Sequence, residues 1–310
     1  MFLVTGGAGF IGSNFLHYMR KVTNEKVIVL DNLTYAADLG FIPDDPQFEF
    51  VWCDITNENH VDYIFKKYKP RKVFHFAAES HVDNSIKNYR PFLESNVVGT
   101  INLLNASLAI DIQKFHHIST DEVYGSLEYE DTELFTEETP YDPRNPYSAS
   151  KAASDHYVRT WHNTYGLPYL ITNCSNNYGP HQHIEKLIPK VIFNALKDEV
   201  TYMYGGGQQI RDWLYVYDHC RAIWMLEEQR VMNDRFNIGG ECELRNIDVT
   251  KKILDILGKP HSLIGVSQDR PGQDKRYGMS FEKLTQRTGW IPHFDFDQAL
   301  KMTVDWYLKK

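Results

Sequence analysis

Short apolar, β-branched runs alternate with longer amphipathic stretches through the first half of the chain. Runs at 2–5, 26–30, 48–52, 72–76, 114–119 and 168–174 have the length and composition of strands. Helical patterns lie between most of them. In one, Val97, Ile101, Leu104 and Leu108 recur at a spacing that places all four on one helix face. Strands regularly separated by helices predict βαβ units and a parallel sheet covered on both sides.

The rhythm changes after about residue 175. Pro180, Pro189, Gly205-Gly206-Gly207, Gly239-Gly240 and Pro271-Gly272 divide the remainder into shorter, mixed pieces. The expectation is an α/β chain with a doubly wound parallel sheet in 1–175 and a smaller α/β region in 176–310. Part of the second region should return to the sheet, and a ligand should bind between the two. The acidic stretch between Gly125 and Pro140 is expected to be a surface loop.

Composition narrows the function. The chain has 310 residues, 42% hydrophobic and 24% charged, ample for a large core. Its net charge is −8 with no basic run, which argues against a nucleic-acid partner. A phosphorylated substrate would need a local basic pocket. Cys53, Cys174, Cys220 and Cys242 are scattered without a CxxC pair, as expected of reduced cytoplasmic thiols. The opening MFLVTGGAGFIG lacks the basic n-region and cleavage site of a signal peptide, and no apolar run reaches the roughly 20 residues of a membrane helix.

The candidate chemistry begins with Gly6-Gly7-Ala8-Gly9-Phe10-Ile11-Gly12, between the first strand and the helical run 11–20. Glycines at this spacing allow a tight turn, close approach to a pyrophosphate and close helix–sheet packing. The helix start offers free N–H groups and a positive dipole end. An ordinary strand–helix turn could use the same glycines, but Asp31 closes the second strand about 20 residues on. An acid there binds the ribose hydroxyls and repels a 2′-phosphate, so a Rossmann-type site for NAD, not NADP, is expected. Asp54 and Ile55 either border the adenine or are a solvated loop acid and a core residue.

Tyr147 and Lys151 form a YxxxK pair on one helix face. An ammonium beside the phenol would lower its pKa from about 10 and make Tyr147 a base for a substrate hydroxyl. Alone, the pair could equally be an exposed Tyr/Lys helix pair.

With GGAGFIG, AAESHVD at 77–83, YSASK at 147–151, NNYGP at 176–180, RDWLYV at 211–216 and DRPGQD at 269–274, the chain resembles the extended short-chain dehydrogenase/reductase family along nearly its whole length. The resemblance implies that Thr120 completes a triad with Tyr147 and Lys151. It implies cofactor contacts from Gly6, Gly9, Phe10, Ile11, Gly12, Asp31, Asp54, Ile55, Ala77, Ala78, Ser80, Ser95, Tyr147, Lys151 and Asn177. Substrate contacts are implied for Ser80, Thr120, Asn176, Lys186, Leu187, Arg211, Asn246, Asp269, Arg270 and Asp274. Arg211 resembles the family's diphosphate-binding arginine, a planar fork suited to phosphate oxygens.

Within the family, STDEVYG at 119–125 resembles the 4,6-dehydratases; the epimerases usually carry small hydroxyl residues there and the decarboxylases resemble STSEVYG. From the residues alone, Asp121 and Glu122 could simply cap a loop. Their end-of-strand position, where ligands bind in such sheets, also suits a general acid and base with separated pKa values. The resemblance implies dehydration of a nucleotide sugar, dTDP-glucose favoured. Tyr147 would take the 4-hydroxyl proton as hydride passes to NAD. Glu122 would remove the C5 proton, Asp121 would protonate the departing 6-hydroxyl, and hydride would return to C6.

At 181–184 the chain has His181-Gln182-His183-Ile184 where the family usually has an aromatic, Gln or His, Phe and Pro. That departure leaves thymidine against uridine open. Two histidines without a third ligand are a poor metal site, and no metal is expected. The alternatives are UDP-glucose 4,6-dehydration, 4-epimerisation or uronate decarboxylation, and, from another class, a non-catalytic NAD-binding protein. Family analogy suggests a homodimer through the helices around 97–108 and 147–165.

Overall fold

A computed structural model describes residues 1–309. Strands β1 (Phe2–Thr5), β2 (Val27–Asp31), β3 (Phe48–Trp52), β4 (Lys72–His75), β5 (Lys114–Thr120) and β6 (Tyr169–Cys174) are the apolar runs read from the sequence, with ends shifted by one residue at most. The central ones are buried on both faces, so they carry continuous apolar runs instead of alternation. Strands β7 (Asn176–Tyr178), β8 (Thr201–Tyr204), β9 (Ile210–Tyr215), β10 (Asp234–Ile238), β11 (Glu243–Arg245) and β12 (Ile264–Ser267) follow.

The seven-stranded sheet has the order β10-β6-β5-β4-β1-β2-β3, with every pair parallel. The order reverses between β1 and β4, and at such a switch point the loops beyond the carboxyl ends diverge to leave a crevice. One face is covered by the packed helices Phe10–Val22 and Val216–Glu228, and the other by Glu58–Tyr68, Gly99–Ala109 and Pro146–Tyr165. The helix Val216–Glu228 carries the chain back so that β10 pairs with β6.

The rest of the second half forms a three-stranded sheet, β11-β9-β7, and a two-stranded one, β12-β8, packed with the helices Leu187–Leu196, Asn246–Ile256, Glu282–Thr288 and Phe296–Tyr307. Asp212 ties it to the central sheet. From β9, its buried carboxylate accepts the backbone N–H groups of Gly240 (2.9 Å) and Cys242 (2.9 Å), just beyond β10.

Two expectations need correction. Thr100, Leu103, Leu104 and Ser107 are the most deeply packed positions of the helix Gly99–Ala109, whereas Ile101 and Leu108 are only half-buried. The helix enters through a wide, π-type turn at Leu93–Val98, which rotates its inner face relative to an uninterrupted α-helix. The segment 125–140 is irregular, but it is not simply a surface loop. Phe135 is buried against Tyr124, with ring centroids 5.3 Å apart, and the Glu137 carboxylate accepts the backbone N–H of Asn237 at 2.8 Å.

Candidate active site

The crevice at the switch point is a cleft of about 310 Å³, within the range of small-molecule sites. Its floor begins with the glycine turn. Gly6 has φ +69° and Ala77 N lies 2.6 Å from where its Cβ would be, so only glycine fits. A Cβ on Gly12 would stand 2.1 Å from Gly6 O. The helix Phe10–Val22 has neither a side-chain cap nor an acid in its first turn, so its leading N–H groups face the cleft. At the end of β2, Asp31 accepts Ala8 N (3.0 Å) and Leu33 N (2.8 Å). Burial raises its pKa and these backbone donors oppose the shift. A backbone cradle, an open helix start and a terminal acid fit a dinucleotide with free ribose hydroxyls.

The turn after β4 supplies Ala77, Ala78 and Ser80 to the wall. Asn96, buried in the π-type turn, clamps it through Glu79 N (2.8 Å), Glu79 O (2.9 Å) and Ser150 Oγ (2.8 Å). Ser95, Ile55, Asn177, Tyr147 and Lys151 also line the cleft, as do Asn176 and Lys186. Asp54 does not. Its carboxylate turns back to Thr56 N (2.9 Å) and Thr56 Oγ1 (2.8 Å), forming the next turn, while Cys53 stands at the wall.

Thr120, the last residue of β5, Asp121 and Glu122 share this cleft with Tyr147 and Lys151 from the helix Pro146–Tyr165. The hydroxyl of Thr120 donates to Asp121 Oδ1 (3.1 Å) and accepts Glu122 N (3.3 Å). Burial, then Glu122 and Asp212, push the Asp121 carboxyl far above the usual range. Glu122 is raised by burial and by Asp274, but a hydrogen bond from Asn145 and the charges of Arg270 and Arg211 hold it down. Both acids are raised, chiefly by burial, but differently biased: Asp121 has mainly negative neighbours, whereas Asn145, Arg270 and Arg211 oppose the rise at Glu122.

The Tyr147 phenol departs from expectation. Burial, with Glu122, Cys174 and Asp121, holds it well above its ordinary value, with the Thr120 hydroxyl acting the other way. Lys151 directs its ammonium elsewhere, donating to Ile118 O (2.8 Å) with His117 Nε2 at 3.3 Å. Burial lowers Lys151 to about 8, opposed chiefly by Asp155. Burial would raise Asp155, but His117 (Nε2 to Oδ1 3.2 Å), then Lys151 and Tyr141, bring it below its ordinary value, while its Oδ2 accepts Tyr141 OH (2.7 Å), Ser119 Oγ (2.9 Å) and Asn173 Nδ2 (3.3 Å). A buried anion thus sits one helical turn below the lysine, a pairing legible as i, i+4 spacing that sequence reasoning passed over.

The remaining predicted substrate residues stand outside the cleft wall, on the second region. Arg211 is buried, its guanidinium 4.2 Å from the Tyr277 ring and donating to Asp274 O (2.9 Å). Arg270 pairs with Asp83 (2.6 Å), and Asp269 accepts Gln209 Nε2 (3.0 Å). Asp274 accepts Tyr277 OH (2.5 Å), and the Asn246 side-chain oxygen is buried without a hydrogen-bond partner among the described residues. Arg211, Arg270 and Asp274 nevertheless act electrostatically on Glu122, so they flank the same centre. Leu187 opens its helix and packs on the main core. The departing segment packs across the cofactor end: His181 stacks on Phe41 (4.2 Å), and His183 meets the edge of Tyr35 (5.3 Å).

The sequence model of the family described as GDP-mannose 4,6 dehydratase matches residues 3–303. A dTDP-glucose 4,6-dehydratase of Neisseria meningitidis serogroup B is 47% identical over 329 residues, covering 99% of this chain and 92% of that protein. The crystal structure of a double mutant of the Streptomyces venezuelae dTDP-glucose 4,6-dehydratase, solved with NAD bound, superposes with a TM-score of 0.96 at 40% identity, covering 100% of this chain and 97% of that one. The Thermus thermophilus UDP-glucose 4-epimerase, also with NAD, gives 0.91 at 29% identity, covering 99% and 98%. With its switch-point cleft, its YxxxK helix and its paired acids, the chain belongs to the nucleotide-sugar 4,6-dehydratase family, within the extended short-chain dehydrogenase/reductases.

Proposed function

We propose that the chain is a hydro-lyase that converts dTDP-glucose to its 4-keto-6-deoxy derivative. The observation that carries this reading is the adjacency of Asp121 and Glu122, differently biased, to Thr120, Tyr147 and Lys151 in one cleft. An epimerase needs only the oxidation pair; removal of water also needs an acid and a base.

The glycine turn, the start of the helix Phe10–Val22 and Asp31 would hold NAD, which when bound supplies a reversible two-electron acceptor and a positive charge. Tyr147, with Thr120 beside it, accepts the proton of the 4-hydroxyl as phenolate, the form that the positive charge of bound NAD would favour against burial and the neighbouring carboxylates; a general base of this kind contributes about 10²–10⁴-fold. Lys151, charged at pH values below about 8, donates to Ile118 O and lends the cleft wall a buried positive charge. The new ketone acidifies C5–H. Glu122, raised by burial but opposed by Asn145, Arg270 and Arg211, takes that proton, and Asp121, whose neutral form burial favours, gives its own to the 6-hydroxyl, which leaves as water; C6 then regains the hydride removed from C4 and C5 a proton, giving the 4-keto-6-deoxy sugar. Arg211 and Arg270 suit the diphosphate as bidentate donors.

Two further readings accompany this one. Tyr89, Leu93, Val98, Tyr157 and Tyr165 are exposed on neighbouring segments of the face formed by 82–109 and 146–165, an apolar surface that supports a homodimer. Among the described residues no helix is long and apolar enough to cross a membrane. A cytoplasmic enzyme accords with four cysteines that are all free.

The test is separate incubation with dTDP-glucose and UDP-glucose, following product mass and, with substrate deuterated at C4, the position of the label. Loss of water with the label recovered at C6 of the thymidine sugar is expected. Release of the label to solvent, a 4-epimer, or preference for the uridine substrate would overturn the reading.

A further inference from the structure

The helix that presents Tyr147 and Lys151 begins at Asn145-Pro146. Asparagine is a strong N-cap and proline suits the first helical position. Asn145 is buried, and its Oδ1 accepts Ser148 N at 2.9 Å. Its own N–H donates to Ser148 Oγ at 3.1 Å, completing a reciprocal capping box. This fixes the orientation of the amide. Only the oxygen end can accept from the helix, so the nitrogen end must face the other way. There, Nδ2 donates to Glu122 Oε2 at 3.3 Å. Among the described residues this is the one side-chain hydrogen bond that the Glu122 carboxylate receives.

We infer that Asn145 is a positioning residue for the elimination step: it locks the Glu122 carboxylate to the first turn of the helix that carries Tyr147 and Lys151. The inference rests on the proposed dehydration, in which Glu122 is the base. An amide is suited to both tasks because its two ends have opposite polarity. Serine or aspartate would cap the helix as well, yet neither presents an N–H to a carboxylate. The contact also favours the ionised form of Glu122 against its burial and the nearby Asp274, while Arg270 and Arg211 act in the same direction from the second region. Linking the two groups fixes the distance between the proton acceptor at the 4-hydroxyl and the base at C5, atoms that are neighbours on one sugar ring.

Asn145→Ser tests this, because it keeps the cap and removes the amide N–H that reaches Glu122 Oε2. In NAD-loaded protein with ¹³C-carboxyl glutamate, the resonance lost in Glu122→Gln identifies Glu122, and its titration midpoint should move up in Asn145→Ser. After rapid mixing with dTDP-glucose, reduced-nicotinamide absorbance should form at the wild-type rate. Water loss should slow by roughly 10–100-fold, the worth of a hydrogen bond to a charged group, with its acid limb moved to higher pH. Asn145→Asp, which sets a carboxylate against Glu122, should move the midpoint further while leaving the thermal midpoint close to that of wild type. An unmoved Glu122 titration would overturn the inference. So would a parallel fall of both phases together with thermal stability, since that describes a helix cap and nothing more. If wild-type enzyme does not dehydrate dTDP-glucose, the functional reading fails by itself, and the Glu122 titration still decides the Asn145 contact.

Discussion

Replacing Asp121 with asparagine should separate oxidation from dehydration, and the structure sets the sign of each effect. The side chain is 2% exposed, and burial with Glu122 and Asp212 keeps its carboxyl far above the ordinary value of 3.8. Asparagine has nearly the same volume, and its oxygen can still accept from Thr120 Oγ1, which now donates at 3.1 Å. Because burial and its acidic neighbours favour the neutral form of Asp121, the exchange swaps one uncharged group for another. It should leave Tyr147, and hence oxidation at C4, almost untouched. The amide has no proton acidic enough for the leaving hydroxyl, so dehydration should fall by about 10²–10⁴-fold. Stability should move the other way. An acid whose folded pKa is raised above its unfolded one binds more protons when folded. Its burden on the fold therefore grows as pH climbs from about 3.8 through the folded value. Asparagine removes that burden, at about 1.4 kcal/mol for each pKa unit abolished, so at neutral pH the variant should unfold at a higher temperature than wild type. Stopped-flow absorbance after mixing with dTDP-glucose, product mass and scanning calorimetry at pH 5 and pH 8 read the three quantities. Wild-type dehydration by the variant, or reduced-nicotinamide formation falling in step with product, would refute the assignment.

Other perturbations follow from the same geometry. Asp155→Asn removes the main charge that favours the Lys151 ammonium, so the alkaline limb of C4 oxidation should move below its expected position near pH 8; an unmoved limb in a folded variant would sever the link. Asp31→Ala should weaken NAD binding and narrow the preference over NADP, measured by equilibrium titration with both; unchanged affinities would remove Asp31 from the site. Gly12→Ala places a Cβ 2.1 Å from Gly6 O, so the turn must open, and the purified variant should retain less NAD at unchanged helix content by circular dichroism. Normal NAD content in that variant would show that the turn tolerates the shift.

Local pattern alone determined the six strands of the first half, the parallel sheet and the glycine turn with Asp31 at its expected distance. Each depends on short-range rules: periodicity, a backbone that only glycine permits at Gly6, and an acid at a strand end. The membership of the candidate cluster, five residues that line one cleft, was legible too, because Thr120, Asp121 and Glu122 are consecutive and Tyr147 and Lys151 share a helix face. What the chain order could not disclose was how these groups bias one another. Tyr147 lies among carboxylates, and Lys151 is turned toward Ile118 O, His117 and the buried Asp155, so the simple picture of an ammonium lowering a phenol does not describe this cleft. Asp54 had the right place in sequence and the wrong partner in space, because a neighbouring Thr56 captures its carboxylate. Only folding joined Asn145 to Glu122, 23 residues earlier in the chain. Only folding brought Arg211, Arg270 and Asp274 to one flank of the same carboxylate. Periodicity reports which face of an element is buried. The charge that a side chain carries depends on burial and on neighbours from other elements, and tertiary packing alone decides these.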